Sequence, residues 1–469
     1  MKAGFYECDI TPAIGMERPA TYHKLFIEKI NDPLKARAVV IDSGSTQIAM
    51  VGVDVCIVPG DVTEKVCAAL PGIDVMLSAS HTHYGGPARL SKFSGDTISE
   101  LIRKLAFEES VCADPDYTAH LVSQIVTAIK MAERRSEEVI FSFGKGTAEG
   151  VSFNRGFKMK NGHRATHPGK GNSEIVEPFE PIDTQVGTVG IWRKNDCSFL
   201  GCIVNFSCHG TCDGTGATAD WPGQMVRTVK SVMGEDAGVV YLYGCAGDIT
   251  QIDNQSLSPT ESGPEYSKVV GVTVGAEALK ILMKAKKGDI STLKCKYATI
   301  KIPRRKPSGK SLKQALEIVN QWKRDTPFHF AKERLLLEEF IKKEPEYNMR
   351  IQSIQLGPLV IEALPGELFC GIGLEIKKRS KFPFTWVSSL ANDACGYVPT
   401  RKALDPKCGG GYETRLTAGT CLIPEAADMI ADKASEEIKK FTPDAVPVGP
   451  QIAPSNHVWD FGNCPPELE

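Results

Sequence analysis

Residues 36–58 read ARAVVIDSGSTQIAMVGVDVCIV. Two apolar runs, 36–42 and 48–58, flank the turn Ser43-Gly44-Ser45, and both are rich in residues that suit strands. Their apolar character is nearly continuous, which predicts strands covered on both faces. The text on the C-terminal side keeps alternating in kind. Residues 62–70 predict a short helix, 75–79 a strand and 117–135 a long helix. Strands are expected at 139–143, 186–192, 199–206 and 239–243, with helices at 224–233 and 266–285. Strands return at 349–356, 359–364 and 384–388, and a last helix is expected over 425–441. Strands interleaved with helices imply an α/β fold of mixed sheets with flanking helices.

The organisation is read as one domain over 1–441. Residues 311–343, rich in Lys, Glu and Leu, form an excursion of two helices broken near Asp325-Thr326-Pro327, with their charges on a solvated face. The Pro-rich tail 442–469 is expected to lie extended on the surface. Composition narrows the function. With 42% hydrophobic and 24% charged residues, the chain is globular rather than disordered. Its 55 Lys and Arg against 57 Asp and Glu carry no footprint of a nucleic-acid or anionic-membrane partner. No apolar run reaches bilayer-spanning length, and MKAGFYECDITP has no signal-peptide core. A cytoplasmic location is the default expectation, or a secreted one if a leader has been removed. The fifteen cysteines are scattered, lie often in apolar runs (Cys56, Cys202) and form no CxxC pair, so they are read as buried, reduced thiols.

Several chemistry-bearing residues share one address, just past the end of an expected strand. His81 and His83 (SASHTHYGGP) follow 75–79, His209 (NFSCHGT) follows 199–206, Asp248 (YGCAGDIT) follows 239–243, and Glu367 (EALPGELF) follows 359–364. Ligand sites in open α/β sheets gather at those ends. On an extended segment His81 and His83 point the same way, so they suit one metal, a ligand-plus-substrate pair, or a hydrogen-bonded turn. His209, between Cys208 and Cys212, is either a ligand or a packed histidine; a Cys-His zinc site would need further ligands nearby. Glu367 alone suits a helix N-terminus equally well. Arg155 (SFNRGF) and Tyr412 (GGYETR) read as loop residues. There is no GxGxxG after a strand, no Walker loop, no GxSxG elbow and no HExxH, which disfavours nucleotide binding and serine-hydrolase chemistry.

Taken in order, AGFYECDITPAIG, DPLKARAVVID, LSASHTHYGGP, FNRG, NFSCHGT, YGCAGDIT, ALPGE, ANDACGYVPTR and GYET resemble the catalytic domain of the neutral (alkaline, non-lysosomal) ceramidases. The resemblance implies a ceramidase-like fold and a hydrolase that cleaves an N-acyl amide with a water activated by one Zn²⁺ per chain. It implies His81, His209, Glu367 and Tyr397 as metal ligands. His83, Arg155 and Tyr412 would be catalytic, and Gly15 and Asp248 would help bind a small-molecule or lipid-like N-acyl substrate. Imidazoles, a carboxylate and a phenolate suit Zn²⁺. The chain is shorter than those ceramidases, which carry a further β-sandwich. Tyr84 stands where the family usually has Ser, and Gly-Asp-Ile-Thr-Gln-Ile replaces a Gly-Asp-Val-Ser-Pro-Asn-like block. The pocket walls are therefore expected to differ. Hydrolysis of an ester or a small polar amide, and a silent metal-stabilised binding protein, stand as the alternatives. The oligomeric state is left open.

Overall fold

A computed structural model describes residues 1–88, 98–259, 261–449, 452–459 and 461–469. Its main sheet is built from Lys2–Asp9 (β1), Lys35–Asp42 (β2), Gln47–Val53 (β3), Asp74–Ala79 (β4), Glu137–Thr147 (β5), Gln185–Arg193 (β6), Phe199–Phe206 (β7) and Gly238–Tyr243 (β8), with Lys287–Gly288 added beside β5. The order is β8-β7-β6-β5-β1-β2-β3-β4. A second sheet has Leu293–Pro303 (β9), Glu346–Leu356 (β10), Leu359–Ala363 (β11) and Phe384–Ser388 (β12), in that order.

The period-two geometry of these strands sorts their side chains into two cores. In β2, Val39 and Ile41 face one way and Ala36, Ala38 and Val40 the other. In β3, Ile48 and Met50 join the first set and Ala49, Val51 and Val53 the second. The first set meets Ile354, Leu356, Ile361 and Trp386 of the second sheet. The second set meets Leu121, Ile125, Trp221, Met225 and Val274 on helices Pro115–Arg134, Asp220–Met233 and Pro264–Lys284. The far face of the second sheet (Met349, Ile351, Val360, Val387) is covered by Cys370–Arg379 and Ala426–Ile438. Helices, sheet, sheet and helices thus form four layers. This explains why the central strands are apolar on both sides, while β9 at the edge of the second sheet keeps an exposed, polar face.

Three parallel strand pairs matter for the site. β3 and β4 pair parallel across the helix Gly60–Ala68, β7 and β8 across Asp220–Met233, and β11 and β12 across Cys370–Arg379. The remaining neighbours in both sheets are antiparallel, so the sheets are mixed as expected.

Some boundaries differ from the expectation. The strand expected over 48–58 ends at Val53, because the buried carboxylate of Asp54 accepts Lys35 N–H (2.9 Å) and an Arg37 N–H (2.6 Å) and turns the chain. The helix expected from 224 starts at Asp220. The excursion does hold two helices, Gly309–Val319 and Thr326–Lys343, the second capped by Asp325 accepting Phe328 N–H (3.1 Å). Its charges are not all solvated: Lys332 is fully buried. The tail is tied down at its start, where Asp444 accepts from Ser291 and Thr292, and its large apolar side chains from Ile452 onward are exposed. None of the fifteen cysteines is in a disulfide, and most are buried. Among the described residues no helix is long and apolar enough to cross a membrane.

Candidate metal centre

The three parallel crossovers deliver the site. His81 lies two residues past β4, His209 three past β7 and Glu367 four past β11. The two histidine loops then pair with one another. Thr82 and Gly210 form a parallel bridge, and His83 N–H donates to Gly210 O (3.1 Å). Glu367–Leu368 and Tyr397–Val398 form a two-strand parallel ladder with Glu367 and Tyr397 in register. Gly366 opens that ladder at φ +137°, where a Cβ would meet Cys395 Sγ at 2.6 Å.

His81 and His83 converge, but not by the extended geometry expected of them. His81 has φ +62°, a left-handed backbone that costs a non-glycine residue roughly 1–2 kcal/mol. Their rings sit edge to face at 4.8 Å, with Nε2 atoms 3.3 Å apart. His81 Nε2 lies 3.3 Å from Glu367 Oε2, and His209 Nε2 lies 3.6 Å from the same oxygen. Two donors held about 2.0–2.1 Å from one tetrahedral ion are themselves about 3.3 Å apart. The ring tautomers also fit. His81 Nδ1 lies 2.8 Å from Cys56 O and His209 Nδ1 2.9 Å from Ile249 O. A carbonyl only accepts, so Nδ1 carries the proton in both rings and Nε2 keeps its lone pair for a cation. Buried His209 Nε2 and Glu367 Oε2 have no hydrogen-bond partner among the described residues. Such orphaned polar atoms are costly unless a cation sits between them.

The electrostatics agree. Burial pulls His81 down, but Cys56 and Glu367 outweigh it and push it up to about 10. Burial, with Arg155 and His81, pushes His209 down to about 3. Burial raises Glu367, yet His81 and His209 hold it well below the carboxylate range. The cluster therefore favours one positive charge beside Glu367, either a proton on His81 Nε2 or a metal ion that displaces it. His83 is driven well below its ordinary value by burial and by its two histidine neighbours, so it is neutral. His81, His209 and Glu367 form one group able to hold a metal ion, and Cys56, His81 and His83 form a second, overlapping one. Cys208 and Cys212 are in neither. They are buried beside Asp220, which accepts Cys212 N–H (2.8 Å).

Around this core sit residues that the sequence named and residues it did not. Arg155 is buried and donates to Glu413 (2.7 Å), Gly247 O (2.7 Å) and Tyr397 Oη (3.1 Å). Tyr397 and Tyr412 meet edge to face at 5.9 Å, and Tyr22 donates to Tyr412 Oη (3.0 Å). His81, His83, Glu367, Tyr397 and Tyr412 all line one cavity of about 260 Å³. Four of the expected residues are not in that lining: Arg155 and His209 are buried behind it against Tyr397 and Glu367, and Gly15 and Asp248 lie further off. Gly15 is an exposed turn residue (φ +91°) that donates to Ile27 O, in the loop whose Pro19–Tyr22 stretch forms a wall. Asp248 is buried behind the wall, where it accepts Cys370 N–H and the Asn154 amide (2.7 Å each), while its carbonyl holds Arg155 N–H (2.9 Å). It positions Arg155 rather than lining the cavity. Tyr84 does not line the cavity either, whereas Gln251 ties the His209 loop through Thr211 O.

Glu413 is the residue that sequence reading passed over. It is fully buried between Arg155 and Arg164, and accepts from Arg164 (2.8 Å) and Thr166 (2.7 Å) as well as from Arg155. Its one signal was its place beside Tyr412 in GYET. The cavity walls from Ser110–Cys112, Lys332, Glu333 and Leu336 had no signal at all.

The sequence matches no protein-family model and no curated protein. Its fold does have solved relatives. A ceramidase complexed with C2 aligns with a TM-score of 0.70 at 18% identity, covering 97% of this chain and 77% of that one. The neutral ceramidase from Pseudomonas aeruginosa aligns with a TM-score of 0.68 at 18% identity, covering 96% and 76%. This chain carries the fold of the neutral ceramidases over almost its whole length.

Proposed function

We propose that this protein is a metal-dependent hydrolase of an N-acyl amide bond. One Zn²⁺ per chain is held by His81, His209 and Glu367, with Tyr397 completing the set. The observation that carries this reading is the pair of orphaned buried atoms, His209 Nε2 and Glu367 Oε2, beside His81 Nε2 at ligand-to-ligand spacing, with His81 and Glu367 on the wall of a cavity. When bound, such an ion supplies a Lewis acid and brings the pKa of a water to about 7.

The chain's own groups supply the rest. Neutral His83 takes the proton that water gives up and passes it to the departing nitrogen. Tyr412, whose oxygen accepts from Tyr22, keeps its own O–H to donate to the carbonyl oxygen as that oxygen gains charge. Arg155, fixed by Glu413 and Gly247 O, holds the Tyr397 hydroxyl in place. The carbonyl carbon gains the water oxygen, the C–N bond breaks, and a carboxylate and an amine leave.

Elemental analysis of the full chain beside a His209→Ala variant tests the metal, and a panel of N-acyl amines and matched esters tests the bond. About one zinc per chain, lost in the variant, with amides cleaved faster than esters is the expected result. No zinc uptake on addition would overturn the reading. Ester cleavage alone would keep the metal and move the substrate class.

A further inference from the structure

We propose that Tyr22 is a positioning residue that sets the direction of the Tyr412 hydroxyl, and that the helix Thr326–Lys343 holds Tyr22 in place to do so. The inference deepens the reading of Tyr412 as donor to the carbonyl oxygen and rests on it. Tyr412 opens a single 3₁₀ turn, Tyr412–Thr414, and its N–H donates to Thr166 Oγ1 (3.0 Å). That bond fixes the backbone and not the hydroxyl. A tyrosine hydroxyl is both donor and acceptor, and its hydrogen turns to suit its partners. Tyr22 makes the choice, because its O–H donates to Tyr412 Oη (3.0 Å). The Tyr412 hydrogen must then point away from Tyr22, where it is free for a bound carbonyl. Both side chains line the cavity. A hydroxyl that already accepts is also the better donor, since hydrogen bonds in a chain polarise one another.

Tyr22 has no regular secondary structure to hold it. The helix does so at two points. Phe330, which is buried, packs its ring 5.2 Å from that of Tyr22 and 6.4 Å from that of Tyr412. Tyr22 and Tyr412 meet edge to face at 6.3 Å, so the three rings support one another. The Arg415 guanidinium, 3.2 Å from the Phe330 ring centroid, holds Phe330 in turn. Lys332 then takes the backbone of Tyr22. Its ammonium has no exposed surface and donates to Tyr22 O and to Glu109 O (2.7 Å for the latter). A lysine is almost never fully buried without partners, so the charge demands those carbonyls. Residues two apart on a helix do not share a face, so Phe330 and Lys332 reach Tyr22 from different directions. Ring packing alone needs only an aromatic residue at 22. The hydroxyl aimed at Tyr412 is what marks Tyr22 as a positioning residue.

Tyr22→Phe keeps the ring and removes the donor. In zinc-loaded full-length protein hydrolysing an N-acyl amide, it should lower kcat about three- to tenfold, the worth of one neutral hydrogen bond, with KM little changed. In a Tyr412→Phe background it should cost nothing further, because the hydroxyl it acts on is gone. Wild-type kcat in Tyr22→Phe overturns the proposal, and so do losses that multiply in the double variant. A second readout needs no turnover: ¹⁹F NMR of the full chain with 3-fluorotyrosine at position 412 alone. Tyr22→Phe should shift or split the resonance by more than its linewidth. Lys332→Met, which touches Tyr412 only through Tyr22, should do the same, with Phe330→Leu as the second helix variant. An unmoved resonance in Tyr22→Phe overturns the proposal, and one unmoved in both helix variants overturns the part given to the helix. A wild type that hydrolyses no amide while the resonance moves as expected removes the hydrolase reading and keeps the alignment of Tyr412. Metal-dependent hydrolysis with an unmoved resonance does the reverse.

Discussion

Replacing Glu413 by Gln removes one negative charge from between two buried guanidiniums. In the native protein one carboxylate oxygen accepts Arg155 Nε–H (2.7 Å), and the other accepts from Arg164 (2.8 Å) and Thr166 (2.7 Å). Gln keeps the shape but turns one of those oxygens into a donor that faces other donors. Two independent routes give the cost. Breaking a buried ion pair by removing one partner costs about 3–5 kcal/mol. Separately, burial raises Glu413 from the ordinary carboxyl value of 4.5, but Arg155 and Arg164 outweigh it and hold it down at about 2. That difference is worth about 3 kcal/mol at neutral pH. The sign follows from the direction of the shift. The folded value is depressed, so this stability is full above the unfolded carboxyl's value near 4.5 and drains away as pH falls through about 2. Urea unfolding of wild type and Glu413→Gln at pH 7, 5, 4 and 3 reads it directly. The variant should be weaker by about 3 kcal/mol at pH 7, and the gap should narrow below pH 4.5. A loss under 1 kcal/mol at pH 7, or a gap that does not change with pH, would refute the reasoning.

Glu367→Gln, which removes the only carboxylate among the proposed ligands, should lower zinc occupancy at least tenfold by elemental analysis; an unchanged metal content would remove Glu367 from the set. His83→Gln should keep the metal and lose about 10²–10⁴ in kcat across the whole pH range, so full turnover at any pH would exclude it as the proton carrier. Tyr412→Phe should cost about 10²–10³ in kcat with KM little changed, and an effect confined to KM would make it a binding residue only. Zinc at 100 times its Kd should stabilise the native protein by about 2.7 kcal/mol in urea, an increment that a chelator abolishes and that His209→Ala never gains.

The strands and the motifs were legible because both are local. The period-two geometry of β2 and β3 fixes which residues face which core, and HTH and PGE each stand just past an expected strand, while Tyr397 of GYV came only from the motif. What joins them is not local. Glu367 meets Tyr397 through a two-residue ladder, and the histidine loops meet through Thr82 and Gly210. No periodicity encodes either pairing. The convergence of His81 and His83 was expected for the wrong physical reason, since it runs through a left-handed backbone at His81 and not through an extended one. Lys332 was misjudged because a lysine in a Lys/Glu-rich helix reads as solvated. Only the two carbonyls brought to it by distant segments, Tyr22 and Glu109, make its burial tolerable.

The distribution of charge explains why the site demands a cation at one place and not another. Glu367 is a mostly buried carboxylate, and the nearby guanidinium that it influences is Arg155. That guanidinium is already committed: Glu413 takes its Nε–H, and Gly247 O and Tyr397 Oη share its Nη2. Arg155 therefore balances Glu413 and steadies Tyr397, and does not satisfy Glu367. His209, with its Nδ1–H spent on Ile249 O and its basicity suppressed by burial, does not supply the charge, which falls to His81 Nε2 or to an ion that displaces its proton. Glu413 accepts Arg155 Nε–H and so engages the guanidinium on the side away from any metal ligand but Tyr397. Replacing Glu413 should free Arg155 toward Glu367 and weaken zinc binding although Glu413 touches no ligand. Zinc affinity of Glu413→Gln, measured by competition with a chelator at pH 7, should fall at least tenfold. Affinity equal to the wild type's would mean that Arg155 and Glu367 do not compete, and that the cation demand at Glu367 is set by its two histidines alone.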